Sequence, residues 1–220
     1  MPDLYIITGS NGAGKSSVGP YYLPDNIKKE YEVFDGDKLF SKKRKELFKV
    51  KTQSLKEAKQ LATDWLHEEF ERRVSDAISK KDHFVYEGHL PEKDNWKTPL
   101  RFKKAGYRIN LIFLGLTDTN ISYLRVLERA KIGGHNVPPY EIERNYYGNL
   151  HQLNNHYSII DYLEIHDTSV TPILKPLAIF KKGKVEWCLP VKELPLWFED
   201  ELPDLFQLAY EKNNPLEFEE

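Results

Sequence analysis

Cysteine is nearly absent from this 220-residue sequence. Cys188 stands alone, so no internal disulfide can form, and its place between Trp187 and Leu189 marks a packed thiol rather than a reactive one. Long hydrophobic runs are also missing. No stretch approaches the roughly 18 apolar residues of a bilayer span, and no basic region followed by an apolar h-region and cleavage site opens the chain. A cytoplasmic location without membrane contact is the expectation. Neither sign of charge is in excess, with 32 basic against 34 acidic residues and a net charge of −2. Such a balance creates no global field toward nucleic acid, which is not an expected partner. The seven histidines show no metal-ligand spacing; after His67-Glu68-Glu69 the place of a second ligand is taken by Glu71. Gly-x-Ser-x-Gly, paired cysteines, internal repeats and low-complexity linkers do not occur.

What is present is a core-forming composition, 40% hydrophobic and 13% aromatic, enough for one sizeable domain. The apolar period alternates between strand-like and helix-like along the chain, the mark of an α/β layer fold. Strand-like runs fall at Leu4–Thr8, Glu32–Asp35, His83–Glu87, Arg108–Leu114 and Tyr162–His166. Helical patterns lie between them. A short helix is expected after Ser16, stopped near Pro20 or Pro24. A long one opens at Ser54 and closes at Lys80-Lys81, and another spans Pro91–Ala105 before Gly106. Helical crossovers imply a mostly parallel sheet with ligand at the C-terminal edge of its strands. From Ile173 onward, Leu177–Phe180 and Val185–Cys188 read as a hairpin, followed by a short helix at Pro203–Lys212 and a solvated tail at 217–220. Trp187, Leu196 and Trp197 read as packing residues. The division is a core over 1–170, with a lid at about 125–147, and a 171–220 extension of the same domain.

One stretch carries unambiguous chemistry. Gly9-Ser10-Asn11-Gly12-Ala13-Gly14-Lys15-Ser16, with Ser17 behind it, satisfies G-x-x-x-x-G-K-[ST] directly after a strand. Its backbone N–H groups are expected to cradle the phosphates of ATP, Lys15 to reach the β and γ phosphates, and Ser16 to ligate Mg²⁺. At the end of the second strand stands Asp35-Gly36-Asp37, where Asp37 is either the base that takes a proton from an acceptor hydroxyl or the cap of the next helix. Glu87 ends the third strand and is open to three roles: orienting a sugar or base, acting as a Walker-B-like carboxylate on Mg²⁺ or water, or pairing in a buried salt bridge. His89 follows it. Beyond the fourth strand, Arg125 and Arg129 share one helical face at i,i+4 spacing. The loop Gly133-Gly134-His135-Asn136-Val137-Pro138 and then Arg144 come next. That is the pattern of a basic lid over transferring phosphates, or of a solvated helix paired to Glu128, Glu141 and Glu143. Lys42–Lys45 reads as a solvated helix face.

These pieces together resemble the zeta-toxin-like P-loop kinases, in particular a short bacterial branch. The resemblance is carried by residues 4–16, Asp35-Gly36-Asp37, Tyr86-Glu87-Gly88, residues 106–114, Arg125-Val126-Leu127-Glu128-Arg129, the Gly-Gly-His-Asn-Val-Pro segment and Asp167-Thr168-Ser169. It covers about residues 2–170. It implies a three-layer α/β P-loop fold with a helical lid and C-terminal hairpin, and an ATP- and Mg²⁺-dependent kinase with Asp37 as base. Lys15 and Ser16 handle ATP·Mg²⁺, Arg129 contacts phosphate with Arg125 beside it, and Asp35, Glu87, His89, Glu71 and Arg144 form the acceptor side. A UDP-activated amino sugar or another nucleotide or sugar is the implied acceptor, and an antitoxin is among the implied partners. Two departures fall on the acceptor side. The family's Gly-Thr-x-Arg is Gly88-His89-Leu90-Pro91 here, and the branch's Ile-x-Arg-Arg-Tyr is Ile142-Glu143-Arg144-Asn145-Tyr146. The same residues leave two other classes open: a P-loop ATPase or switch with water as acceptor, and a non-catalytic ATP-binding interaction module.

Overall fold

In the computed structural model, residues 1–52, 54–131, 137–170 and 175–214 are described. The central strands explain the architecture. In β1 (Asp3–Gly9) and β4 (Arg108–Gly115) consecutive residues such as Ile6 and Ile7, or Leu111 to Leu114, are all buried. A strand apolar on both faces must be covered on both, which makes the sheet the middle of three layers. Between them in sequence come β2 (Phe34–Asp35) and β3 (Phe84–Glu87), followed after β4 by β5 (Tyr162–Asp167). These five are parallel, in the order β2-β3-β1-β4-β5. β6 (Lys175–Lys181) and β7 (Lys184–Cys188) then extend the same sheet antiparallel as a hairpin.

The helices are α1 (Asp25–Glu30), α2 (Gly36–Val50), α3 (Leu55–Lys80), α4 (Lys97–Lys104), α5 (Thr119–Lys131), α6 (Pro139–His156), α7 (Leu196–Glu201) and α8 (Pro203–Asn213). α3 starts where Ser54 accepts from the Glu57 N–H and stops where Lys81 adopts a left-handed conformation. No helix among the described residues is long and apolar enough to cross a membrane.

Four expectations need correction. The chain after Ser16 does not form an α-helix. The Gly14 carbonyl instead collects the N–H groups of Ser17, Val18 and Gly19, and a 3₁₀ turn follows at Gly19–Tyr22. Pro20 has no N–H to return to Ser16, so the helical ladder cannot propagate. The second strand is only Phe34–Asp35, at the sheet edge. The helix expected over Pro91–Ala105 is a 3₁₀ turn at Lys93–Trp96 leading into the shorter α4. Of the three C-terminal packing residues only Trp197 is core, its ring lying over Gly115, where a Cβ would come within 2.4 Å. Trp187 and Leu196 are exposed at 41% and 75%. Residues 133–136 of the lid loop and the tail at 217–220 lie outside the described residues.

Candidate active site

The parallel strands end together at one edge, and the loop leaving β1 lies across it. Gly9 (φ +139°) turns the chain against β4, where a Cβ would stand 2.1 Å from the Leu114 carbonyl oxygen. Gly12 (φ +75°) lies under Arg125, whose Cβ a side chain would meet at 2.9 Å. Only glycine accepts both the dihedral and the approach.

Side chains from three other elements fix this loop. Thr168, just past β5, places its hydroxyl 3.0 Å from the Ala13 carbonyl and 2.9 Å from that of Gly115. On α5, Ser122 donates to the Asn11 carbonyl, and Arg125 donates to the carbonyls of Gly12 (3.2 Å), Thr168 (2.8 Å) and Ser169 (2.9 Å). On α6, the buried Asn145 donates to Asn11 Oδ1 at 2.9 Å. One turn later Asn149 donates to the Gly9 carbonyl and accepts from the Leu90 N–H at 2.6 Å. Thr168→Val should therefore cost roughly 1–2 kcal/mol, because its partner carbonyls stay buried. Urea unfolding with an unchanged m value checks this.

Above the loop is a cavity of about 300 Å³, open on one side, to which the loop, Asp37, Glu87, His89, Arg125 and Arg129 contribute. Lys15 donates to the carbonyls of Gly9 (3.2 Å) and Ser10 (3.0 Å) and to His89 Nε2 (3.2 Å). Burial lowers its pKa to about 8, against the pull of Glu87 and Asp37 in the other direction. Ser16 donates to Glu87 Oε1 at 2.5 Å. Burial raises Glu87 to about 6; the Ser16 bond opposes this, and Asp35 and Asp37 add to it. His89 is held well below the usual histidine range by burial and the nearby Lys15, so it is neutral at pH 7. Asp37 lies in the first turn of α2, while the cap of that helix is Asp35, which accepts from the Lys38 N–H at 2.9 Å. Arg129 makes no hydrogen bond or ion pair among the described residues.

Of the residues singled out in the sequence, Asn11, Gly12, Gly14, Lys15, Ser16, Ser17, Asp37, Glu87, His89, Arg125 and Arg129 share the cavity. Gly9, Ser10 and Ala13 of the loop, and Asp35, Glu71 and Arg144, do not line it. Glu71 pairs with Arg101 at 2.7 Å, and Arg144 lies 3.7 Å from Glu92. Arg125 lies at the cavity, but its guanidinium is committed to backbone carbonyls, which makes it an anchor of the loop. Ser122, Asn145, Asn149 and Thr168 carry the loop without having been assigned a role from sequence. Thr168 had entered only within the Asp167-Thr168-Ser169 stretch of the resemblance, and Asn145 and Asn149 offered the signal of two polar residues at i,i+4 on α6.

The donor set fits a polyphosphate. Ser10 Oγ is buried with no partner, and among the described residues the N–H groups of Gly12, Gly14, Lys15 and Ser16 find no acceptor. Strand, glycine loop and lysine at the carboxyl edge of a parallel sheet define a P-loop α/β protein. A family model described as Zeta toxin matches residues 1–169. The chain belongs to the zeta toxin family.

Solved structures of similar fold include a chain of the AvrRxo1-ORF1:AvrRxo1-ORF2 complex with sulphate ions and one of the same complex with ATP. Each has 15% identity and a TM-score of 0.67, and the match covers 92% of this chain and 64% of that one. A chain of the PezAT chromosomal toxin–antitoxin system of Streptococcus pneumoniae has 20% identity and a TM-score of 0.59, covering 99% and 88%. The chain thus spans just under two thirds of the length of its AvrRxo1 neighbours. At these identities the likeness is one of fold. No curated protein sequence matches.

Proposed function

We propose that this chain is an ATP-dependent phosphotransferase that moves the γ-phosphoryl group to the hydroxyl of a small molecule. The observation that carries the reading is that Lys15 and Asp37 open onto one cavity, so phosphate-binding and proton-accepting groups face a shared space. The unpartnered N–H groups and Ser10 Oγ suit the phosphates of ATP. Ser16 and Glu87 are paired hard oxygen donors suited to Mg²⁺, which when bound supplies positive charge at the phosphate oxygens.

This chain's own groups then do the following. Asp37 accepts the acceptor's hydroxyl proton as its oxygen attacks the γ-phosphorus, and the bond to the β–γ bridging oxygen breaks to release ADP. Lys15 and Arg129 balance charge on the phosphoryl oxygens, and the fixed loop supplies positioning without reorganisation. Glu87 accepts hydrogen bonds from ligand hydroxyls when ionised. The finer parts of the reading are a UDP-activated amino sugar, or another nucleotide or sugar, as acceptor, and an antitoxin as protein partner. Membership of the zeta toxin family supports both.

Glu87 loses its charge as pH falls through about 6, and Lys15 loses its own as pH rises through about 8. The profile of kcat/KM should be bell-shaped with limbs at those values. Bound ATP favours the charged ammonium, so saturation should move the alkaline limb upward; Glu87→Gln should erase the acid limb. Initial rates from pH 5 to 9.5 check this.

The Ser16–Glu87 contact also favours a second reading, in which Glu87 serves water and the protein hydrolyses ATP. Incubation with γ-labelled ATP, UDP-sugars, nucleosides, nucleotides and cell extract separates the two. A labelled organic ester identified by mass supports the transferase; label found only as inorganic phosphate, its release stopped by Glu87→Gln, supports the hydrolase.

A further inference from the structure

As an ammonium, Lys15 has three N–H bonds and no lone pair. The structure gives it three acceptors: the carbonyls of Gly9 (3.2 Å) and Ser10 (3.0 Å), and His89 Nε2 (3.2 Å). Nε2 is therefore the bare nitrogen of the ring. The one ring proton belongs on Nδ1, and the ring's hydrogen bond to the Gly9 carbonyl accounts for it. Asn149 Nδ2 lies 3.2 Å from Nδ1, but its own hydrogens go to the carbonyls of Gly9 and Asn145.

The three acceptors are unequal when a phosphate competes for the ammonium. Without Lys15 the Gly9 carbonyl still accepts from Asn149 and from the His89 ring, and the Ser10 carbonyl still accepts from the Ala13 N–H at 3.3 Å. Both stay partnered. Among the described residues, the half-buried His89 would keep only Asn11 Nδ2, 3.4 Å from its Nε2. Leaving such an acceptor short of a partner is the costlier change, so the two carbonyl bonds are the ones to release. His89 is also the fixed member of the pair. On one side the Gly88 N–H donates to the Ile7 carbonyl of β1 at 3.1 Å; on the other the Leu90 N–H donates to Asn149 at 2.6 Å and the Leu90 carbonyl accepts from Trp96 Nε1 at 3.3 Å. Lys15 reaches this fixed ring on a flexible four-carbon stem.

We propose that His89 is a positioning residue for Lys15: its Nε2 retains one N–H of the ammonium and so aims the other two at the β and γ phosphates of ATP. The inference rests on the reading of this cavity as an ATP site. It moves His89 from the acceptor side, where the family resemblance set it, to the donor side. No bond forms or breaks at the ring, which acts only through Lys15.

The test is a set of calorimetric titrations with ATP and Mg²⁺ on the full chain: wild type, His89→Leu, His89→Asn and His89→Gln, each also in a Lys15→Met background. The amide oxygen of Gln reaches as far as Nε2, whereas that of Asn stops short of Lys15. Leu and Asn should weaken ATP binding roughly tenfold, Gln should stay within about threefold of wild type, and none should change the affinity of Lys15→Met by more than about twofold. Ester formation from γ-labelled ATP should follow the same ranking, while the amount of small-molecule extract that gives half the maximal rate stays unchanged. A merely structural role would weaken binding equally in both backgrounds. Equal losses with and without Lys15, a Gln variant as weak as Leu, or an ATP affinity that no variant moves would overturn the assignment; the last, with more extract needed for half the maximal rate, would return His89 to the acceptor side. If thermal unfolding shows that His89→Leu does not fold, the comparison of Asn with Gln decides. The affinity cycle uses ATP alone, so label found only as inorganic phosphate overturns the transferase reading and leaves the role of His89 standing.

Discussion

Asp37→Ala lowers phosphoryl transfer by roughly 10²–10⁴-fold, the range for loss of a positioned general base, while ATP affinity stays within about threefold. The two effects separate because Asp37 stands on the first turn of α2, on a different element from the β1 loop whose N–H groups form the phosphate cradle. Asp37→Asn keeps the shape of the side chain and loses only its basicity, so it should be nearly as slow. Neither change should unfold the protein, because the helix cap belongs to Asp35. Calorimetric titration with ATP and Mg²⁺ alongside single-turnover transfer checks the split. A loss of affinity as large as the loss of rate would place Asp37 on the nucleotide side instead.

Lys15→Met has a different signature. Transfer falls by about 10²–10³-fold, as when one preorganised donor to transition-state charge is removed, and ATP binding weakens as well. Lys15 now donates to the Gly9 and Ser10 carbonyls and to His89, and it must leave at least part of that set to reach a phosphate. Burial disfavours its charge, with a pKa lowered to about 8, and a phosphate beside it would favour the charged form. Thermal unfolding with and without ATP reads this directly: the wild type should gain stability from ATP and Lys15→Met should gain much less.

The family and the layer architecture were legible because they rest on local pattern. The glycine–lysine motif needs only adjacent residues, and a doubly buried strand such as β4 announces itself as a continuous apolar run, here Leu111–Leu114. What escaped sequence reading depended on contacts distant along the chain. The spacing of Arg125 and Arg129 put both on one face, but that face could not reveal that the carbonyls of Thr168 and Ser169 would claim Arg125. Glu71 and Arg144 carry the right charge for an acceptor site, and the fold gives them to Arg101 and Glu92. Asn145 stands where the branch's pattern has a second arginine, a departure visible in sequence, but its donation to Asn11 inside the phosphate loop was not. The missing helix after Ser16 was written in Pro20, whose lack of an N–H outweighs the habit of the motif.

The phosphotransferase reading turns on where the γ-phosphorus goes. The most direct measurement incubates the protein with γ-labelled ATP, Mg²⁺ and a complete small-molecule extract, and follows label in organic ester and in inorganic phosphate for the wild type and Asp37→Asn. Label should accumulate in ester with the wild type and fall by roughly 10²-fold or more with Asp37→Asn. Label appearing only as inorganic phosphate, at a rate indifferent to the extract and to Asp37, would contradict it.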